Sequence, residues 1–185
     1  MLYEMKLPLR LDADVTSECW TFYRMAVTGA YPQMESWLIN HLNQLFIDPH
    51  CEIHYGFYGR KYNPYYAYEE VIETREKPLK ELPDGRSFIN YVIRCLEDGC
   101  YPLVEFDFHT LFDEEGTEEP NIHELLLYGF DEKGFWFPNL EKGRWVERHA
   151  PFDKMAAAFL LRKNMGAEKE QRQLDVYKRQ NICYT

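Results

Sequence analysis

Apolar and polar positions follow two different periods along this chain, and the changes of period predict its elements. Lys6-Leu7-Pro8-Leu9-Arg10-Leu11 alternates residue by residue, the mark of a short extended lead-in over 1–14. Over 19–28 the spacing becomes helical, with Thr16 or Ser17 in place to cap the helix and Gly29 just past its end. A second helical stripe, Trp37, Leu38, Leu42, Leu45 and Phe46, predicts a helix over 35–46. Residues 50–68 interleave aromatics with polar groups and glycines and read as strand or loop.

Ser87 then opens a helix with Ile89, Val92, Ile93 and Leu96 on one face and Gly99 as its stop. Residues 101–108 form a strand by residue type, and an acidic loop, 113–121, leads to a second apolar strand over 123–130. Asp131-Glu132-Lys133-Gly134 is hairpin chemistry, Phe135-Trp136-Phe137 begins the return strand, and 152–163 is a final helix. There is no repeat and no interdomain linker. The expectation is one α+β domain over 1–172, with N-terminal helices packed on an antiparallel sheet. The last residues, 173–185, turn polar without periodicity. LDVYKRQ resembles a run appended to assembled gene fragments, so 173–185 is expected to be a non-native or disordered tail.

Composition narrows the function classes. A chain of 185 residues with 45% hydrophobic residues can build a real core, which excludes wholesale disorder. Its 21 basic against 31 acidic residues leave a net charge of −10, which argues against a grip on nucleic acid and against a polybasic membrane anchor. No apolar run has the length of a membrane span or a signal peptide, so a soluble, cytoplasmic protein is expected. Five cysteines at irregular spacings form no CxxC pair, which suits free thiols in a reducing compartment. The aromatic excess concentrates in 55–68, where Tyr58, Tyr65 and Tyr66 are the candidates to stack on a bound substrate.

A thiol nucleophile needs a helix N-terminus to favour its thiolate, an imidazole base, and a group that orients the base. Cys19 lies where the first helix begins, His123 opens a strand, and Asn139 lies 16 residues beyond it on the return strand. Cys19-Trp20-Thr21-Phe22 is similar to the Cys-Trp-x-Phe around the nucleophile of papain-like cysteine peptidases. The run from His123 to Gly129-Phe130-Asp131 resembles their histidine strand. The order of elements looks like that of the C39-like peptidases and of the butirosin-H-like N-terminal domains of bacterial peptide and secondary-metabolite clusters. The resemblance covers roughly 15–140 with a gap over 47–86. It implies a papain-like α+β fold, with Cys19 attacking a peptide or acyl-thioester carbonyl, His123 moving the proton and Asn139 holding the imidazole. It also implies a peptide or acyl-carrier partner and no cofactor.

Two departures qualify what the resemblance implies. The family has a glutamine shortly before the nucleophile, whereas Asp12, Ala13, Asp14, Val15 and Thr16 offer no amide donor to an oxyanion. If Glu132-Lys133-Gly134 form a three-residue loop, Asp131 pairs with Phe135. Asn139 then falls about four residues out of register with His123, roughly 13 Å at strand rise, which brings in Glu141 and Asp131 as alternative orienters. The alternative function is a degenerate binding module of the same fold for a peptide or carrier-protein partner. A rival site of Asp107, His109 and His123, with Asp113 or Glu124, would hold a metal, but no HExxH-type spacing accompanies it and none is expected.

Overall fold

In a computed structural model, residues 3–12, 19–41, 45–47, 53–55, 68, 70–113, 120–165 and 173–179 are described. In chain order the first elements are strand β1 (Met5–Lys6), helix α1 (Cys19–Gly29), helix α2 (Glu35–His41), and strands β2 (Leu45–Ile47), β3 (Ile53–Tyr55) and β4 (Ile72–Pro78). Then come helix α3 (Gly85–Glu97), strand β5 (Cys100–Asp107), helix α4 (Phe108–Phe112), and strands β6 (Ile122–Leu126), β7 (Gly129–Phe130), β8 (Gly134–Glu141) and β9 (Arg144–Pro151). Helix α5 (Phe152–Asn164) and strand β10 (Gln173–Arg179) end the chain. The mixture of helices and antiparallel sheets is the α+β class that the periodicity predicts.

The chain divides into two compact units, one of residues 1–7 and 74–178 and the other of residues 8–73 and 179–185. In the first unit α3 begins at Gly85, two residues before the predicted start. The Asp84 carboxylate accepts from the Ser87 amide at 2.7 Å while the Ser87 hydroxyl accepts from the Asp84 amide at 3.1 Å. Ser87 is thus the third residue of a reciprocal cap, not its first. Helices α3 and α5 pack their apolar faces on the sheets. Phe88 stacks on Phe159 with centroids 4.1 Å apart, a contact worth about 0.5–1.5 kcal/mol beyond its burial.

One sheet has the order β1-β7-β8-β9 and another β4-β10-β5-β6. The predicted strand over 123–130 is divided between them, because β6 pairs with β5 while β7 pairs with β8. The division falls at Leu127 and Tyr128. The Leu127 amide donates to Pro102 O at 2.8 Å, toward one sheet, and the Tyr128 amide to Trp136 O at 3.1 Å, toward the other. Within the tail, 173–179 forms β10 and pairs antiparallel with β5, Tyr177 opposite Tyr101. Val and Tyr are strand formers, which a reading of periodicity alone passes over.

The second unit is built around α1. Every residue from Phe22 to Thr28 is buried, Arg24 and Thr28 included, so over these two turns the helix lacks the exposed polar face of a surface helix. Trp37 packs on Tyr68 with centroids 5.5 Å apart, and its indole N–H donates to Glu70 at 3.1 Å. Helix α2 ends at His41, short of the predicted 46. Leu45 and Phe46 belong instead to β2, which pairs with β3. Leu and Phe suit either element, and here strand pairing prevails over the helical stripe.

Candidate functional site

Cys19 is the first residue of α1, half-buried and not in a disulfide. It belongs to the second unit, while His123 and Asn139 belong to the first. In the second unit burial pushes the Tyr68 phenol well above its ordinary pKa, and the Arg24 guanidinium pulls the other way. Tyr58, Tyr65 and Tyr66, the expected stacking residues, lie outside the described residues.

His123 is the second residue of β6, opposite Phe106 on β5, and its side chain is exposed. Its ring lies against Phe108 at 4.7 Å, and it makes no side-chain hydrogen bond among the described residues. Asn139 is opposite Val146 in the β8–β9 pair, and its amide donates to Glu141 Oε1 at 3.2 Å. Arg148 grips the same carboxylate through Nε and Nη2, both at 2.5 Å, and these bonds hold the Glu141 carboxyl below its usual range. Asn139 and Glu141 are therefore bonded to each other, and among the described residues neither makes a side-chain hydrogen bond to His123.

The register sets these positions. The turn between β7 and β8 holds two loop residues, Glu132 and Lys133, and Phe130 is opposite Phe135, which corrects the predicted three-residue loop by one position. Asp131 closes this turn. Its amide donates to Gly134 O at 3.0 Å, and its carboxylate accepts from the Lys133 and Gly134 amides at 2.7 and 3.0 Å. Since β6 belongs to the other sheet, counting residues along a continuous His123 strand does not locate the orienter.

The rival metal site is not assembled. Asp107 is buried and spends its oxygens on the Thr110 amide (3.0 Å), the Thr110 hydroxyl (2.6 Å) and the Asn121 amide (3.1 Å). Burial pushes its carboxyl up, but these donors outweigh that and hold it below the usual range. It is a helix cap for α4 and an anchor for the strand that follows. No cluster of three metal-ligating side chains occurs among the described residues.

The arrangement that sequence reasoning missed is on the first sheet. His149 Nε2 lies 3.0 Å from Asp131 Oδ1, and the His149 ring packs on Trp136 with centroids 4.6 Å apart. Burial raises the Asp131 carboxyl, but the two turn amides and the His149 ring outweigh it and leave it below the usual range. Lys6 Nζ sits 3.5 Å over the Trp136 ring and 2.9 Å from Glu147, whose carboxylate also accepts from the Tyr128 hydroxyl. A signal for this pairing was present. Lys142 (φ 49°) and Gly143 (φ 76°) form a two-residue turn of the kind that joins hairpin strands, and counting back from it puts His149 opposite Trp136.

Among the described residues no helix is long and apolar enough to cross a membrane. Compared with known proteins, the chain matches no family model, no curated protein and no solved structure.

Proposed function

We propose that this chain is a papain-like domain of the C39-like, butirosin-H-like kind that binds a peptide or a carrier-borne acyl chain, and that it binds without turning the substrate over. The setting that goes with this reading is bacterial peptide or secondary-metabolite processing. The observation that carries it is the commitment of Asn139 to Glu141, while His123 is exposed with no hydrogen-bonded orienter among the described residues. A thiol peptidase needs its imidazole fixed in one tautomer and one direction, and loss of that third group typically costs orders of magnitude in rate. The lack of an amide donor before Cys19 points the same way. A net charge of −10 favours basic or neutral partners over acidic ones.

A second reading, a thiol hydrolase or acyltransferase, draws support from the position of Cys19 as the first residue of α1, where exposed backbone amides favour a thiolate. One experiment separates the two. The whole chain is incubated with an acyl-N-acetylcysteamine thioester and with a fluorogenic peptide, beside Cys19→Ala. Binding without turnover predicts a saturable change in tryptophan fluorescence and product formation equal in the two proteins. Product formation that disappears only in Cys19→Ala rejects it in favour of the enzyme.

A further inference from the structure

The outer face of the first sheet carries a row of four residues, one from each strand. Lys6 is opposite Gly129, Gly129 opposite Trp136, and Trp136 opposite His149. Phe130, Phe135, Phe137 and Ala150 belong to the core, so the alternation of strands turns Gly129, Trp136 and His149 to the other side. Gly129 makes the row possible. A Cβ there would lie 2.7 Å from Met5 O and 2.8 Å from Lys6 Cγ, so only glycine admits the lysine stem that carries its ammonium over the indole.

His149 is set up as a base in this row. An ionised Asp131 can only accept, so Nε2 of the neutral ring carries the proton and Nδ1 keeps its lone pair. Nδ1 makes no hydrogen bond among the described residues and is not sealed from solvent. The His149 and Asp131 side chains keep 22% and 24% of their surface exposed, so water and a small substrate reach the pair. Asp131 is itself fixed by two backbone amides, so the imidazole is aimed by a rigid turn. Lys6 brings its ammonium over the Trp136 ring, where it is shared with the Glu147 carboxylate 2.9 Å away.

We propose that this row is a second chemical site, in which His149, positioned by Asp131, takes a proton from water during hydrolysis of an activated acyl oxygen ester. The water oxygen bonds to the carbonyl carbon as its proton passes to Nδ1, and Lys6 faces the negative charge that collects on the carbonyl oxygen. The bond to the leaving oxygen then breaks, and the imidazolium returns the proton to that atom. A carboxylic acid and an alcohol are released, and no other reactant is needed. This chemistry does not use Cys19 and does not rest on the binding reading above.

The test is hydrolysis of p-nitrophenyl acetate by the whole chain, with melting followed for every variant. His149→Gln lowers the rate about tenfold or more, in the range of general-base catalysis, while Arg86→Gln, an exposed change on α3, leaves it unchanged. Lys6→Met, which keeps the stem over Trp136, lowers it about threefold, below the loss seen for dedicated oxyanion donors. Asp131→Asn, which keeps an acceptor for the two turn amides, lowers kcat with KM unchanged, a split that a structural role alone does not produce. A His149→Gln rate within twofold of the parent overturns the proposal, and so does an equal loss in Arg86→Gln. Should His149→Gln fail to fold, diethyl pyrocarbonate on the parent chain decides. A rate that falls in step with modification of His149, mapped by peptide mass, supports the site, and a rate that survives its full modification overturns it.

Discussion

His123 and His149 both sit on antiparallel strands of the same unit, yet among the described residues only His149 has a carboxylate hydrogen-bonded to its ring. His123 is at an exposed strand start against Phe108 and makes no side-chain hydrogen bond among the described residues. His149 is held by a carboxylate that two backbone amides hold in turn, and it rests on an indole. The first is conspicuous in the sequence because of its apolar neighbours. The second owes its role to a partner 18 residues away that arrives through strand pairing. A histidine becomes a base through what fixes its ring, and that is a property of register more than of local motif.

The largest expected effect breaks the His149 side. A Cβ on Gly134 would lie 1.9 Å from Ala150 O, in the backbone of the strand that carries His149, so β8 and β9 must separate. Gly134→Ala is expected to cost about 3 kcal/mol, the upper end for forced overpacking, and to lower Tm by on the order of 10 °C. Gly143→Ala is the comparison. Its φ of +76° strains a side chain but nothing lies within 4 Å, so only about 1–2 kcal/mol is lost. Equal losses in a urea melt would deny the close approach at Gly134.

The next effect falls on the His123 side. Asp107 pairs with Ile122 across β5 and β6 and holds the Asn121 amide, so it secures the start of the histidine strand. Asp107→Ala leaves buried donors without an acceptor and is expected to cost about 2–3 kcal/mol. The carboxyl is held below its usual range, so its contribution is complete above the ordinary carboxylate pKa and disappears as pH falls through the lowered native value. Stability of Asp107→Asn, compared with the parent from pH 7 down to pH 3, should fall less steeply. Parallel curves would show that Asp107 is not the group responsible.

Asp131→Ala should cost less, about 1–2 kcal/mol, because it removes an acceptor for two amides at a partly exposed turn, in the manner of a lost helix cap. Its sharper consequence is local. The His149 ring loses its fixed direction, so its two-dimensional NMR signals should broaden or shift while those of His123 stay in place. Movement of both sets would make the two histidines one coupled region.

How much of this was legible in the sequence depends on the range of the interactions involved. Helices α1, α3 and α5 were readable because their signals are local: Cys19 and Gly29 bound the first, Gly99 stops the second, and Phe152 opens the third. The hairpin at Asp131 was readable for the same reason, to within one residue. The switch of the histidine strand between two sheets was not, because Leu127 and Tyr128 bond to Pro102 and Trp136 and nothing in their own neighbourhood announces it. The same holds for Asn139, whose position 16 residues beyond His123 matches a family spacing while its amide goes to Glu141.

The smallest expected effect sharpens the comparison most. His123→Ala removes an exposed side chain whose contact is the edge of Phe108, so its stability change should stay within about 0.5 kcal/mol, as for surface substitutions generally. His149→Ala takes away the partner of an ionised carboxylate and a ring packed on Trp136, so it should cost about 1–2 kcal/mol. Parallel urea melts of the two variants at pH 7 read the difference directly. If His123→Ala costs as much as His149→Ala, then His123 is held by more than Phe108, and the case for its being an unfixed imidazole fails along with the argument against turnover at Cys19.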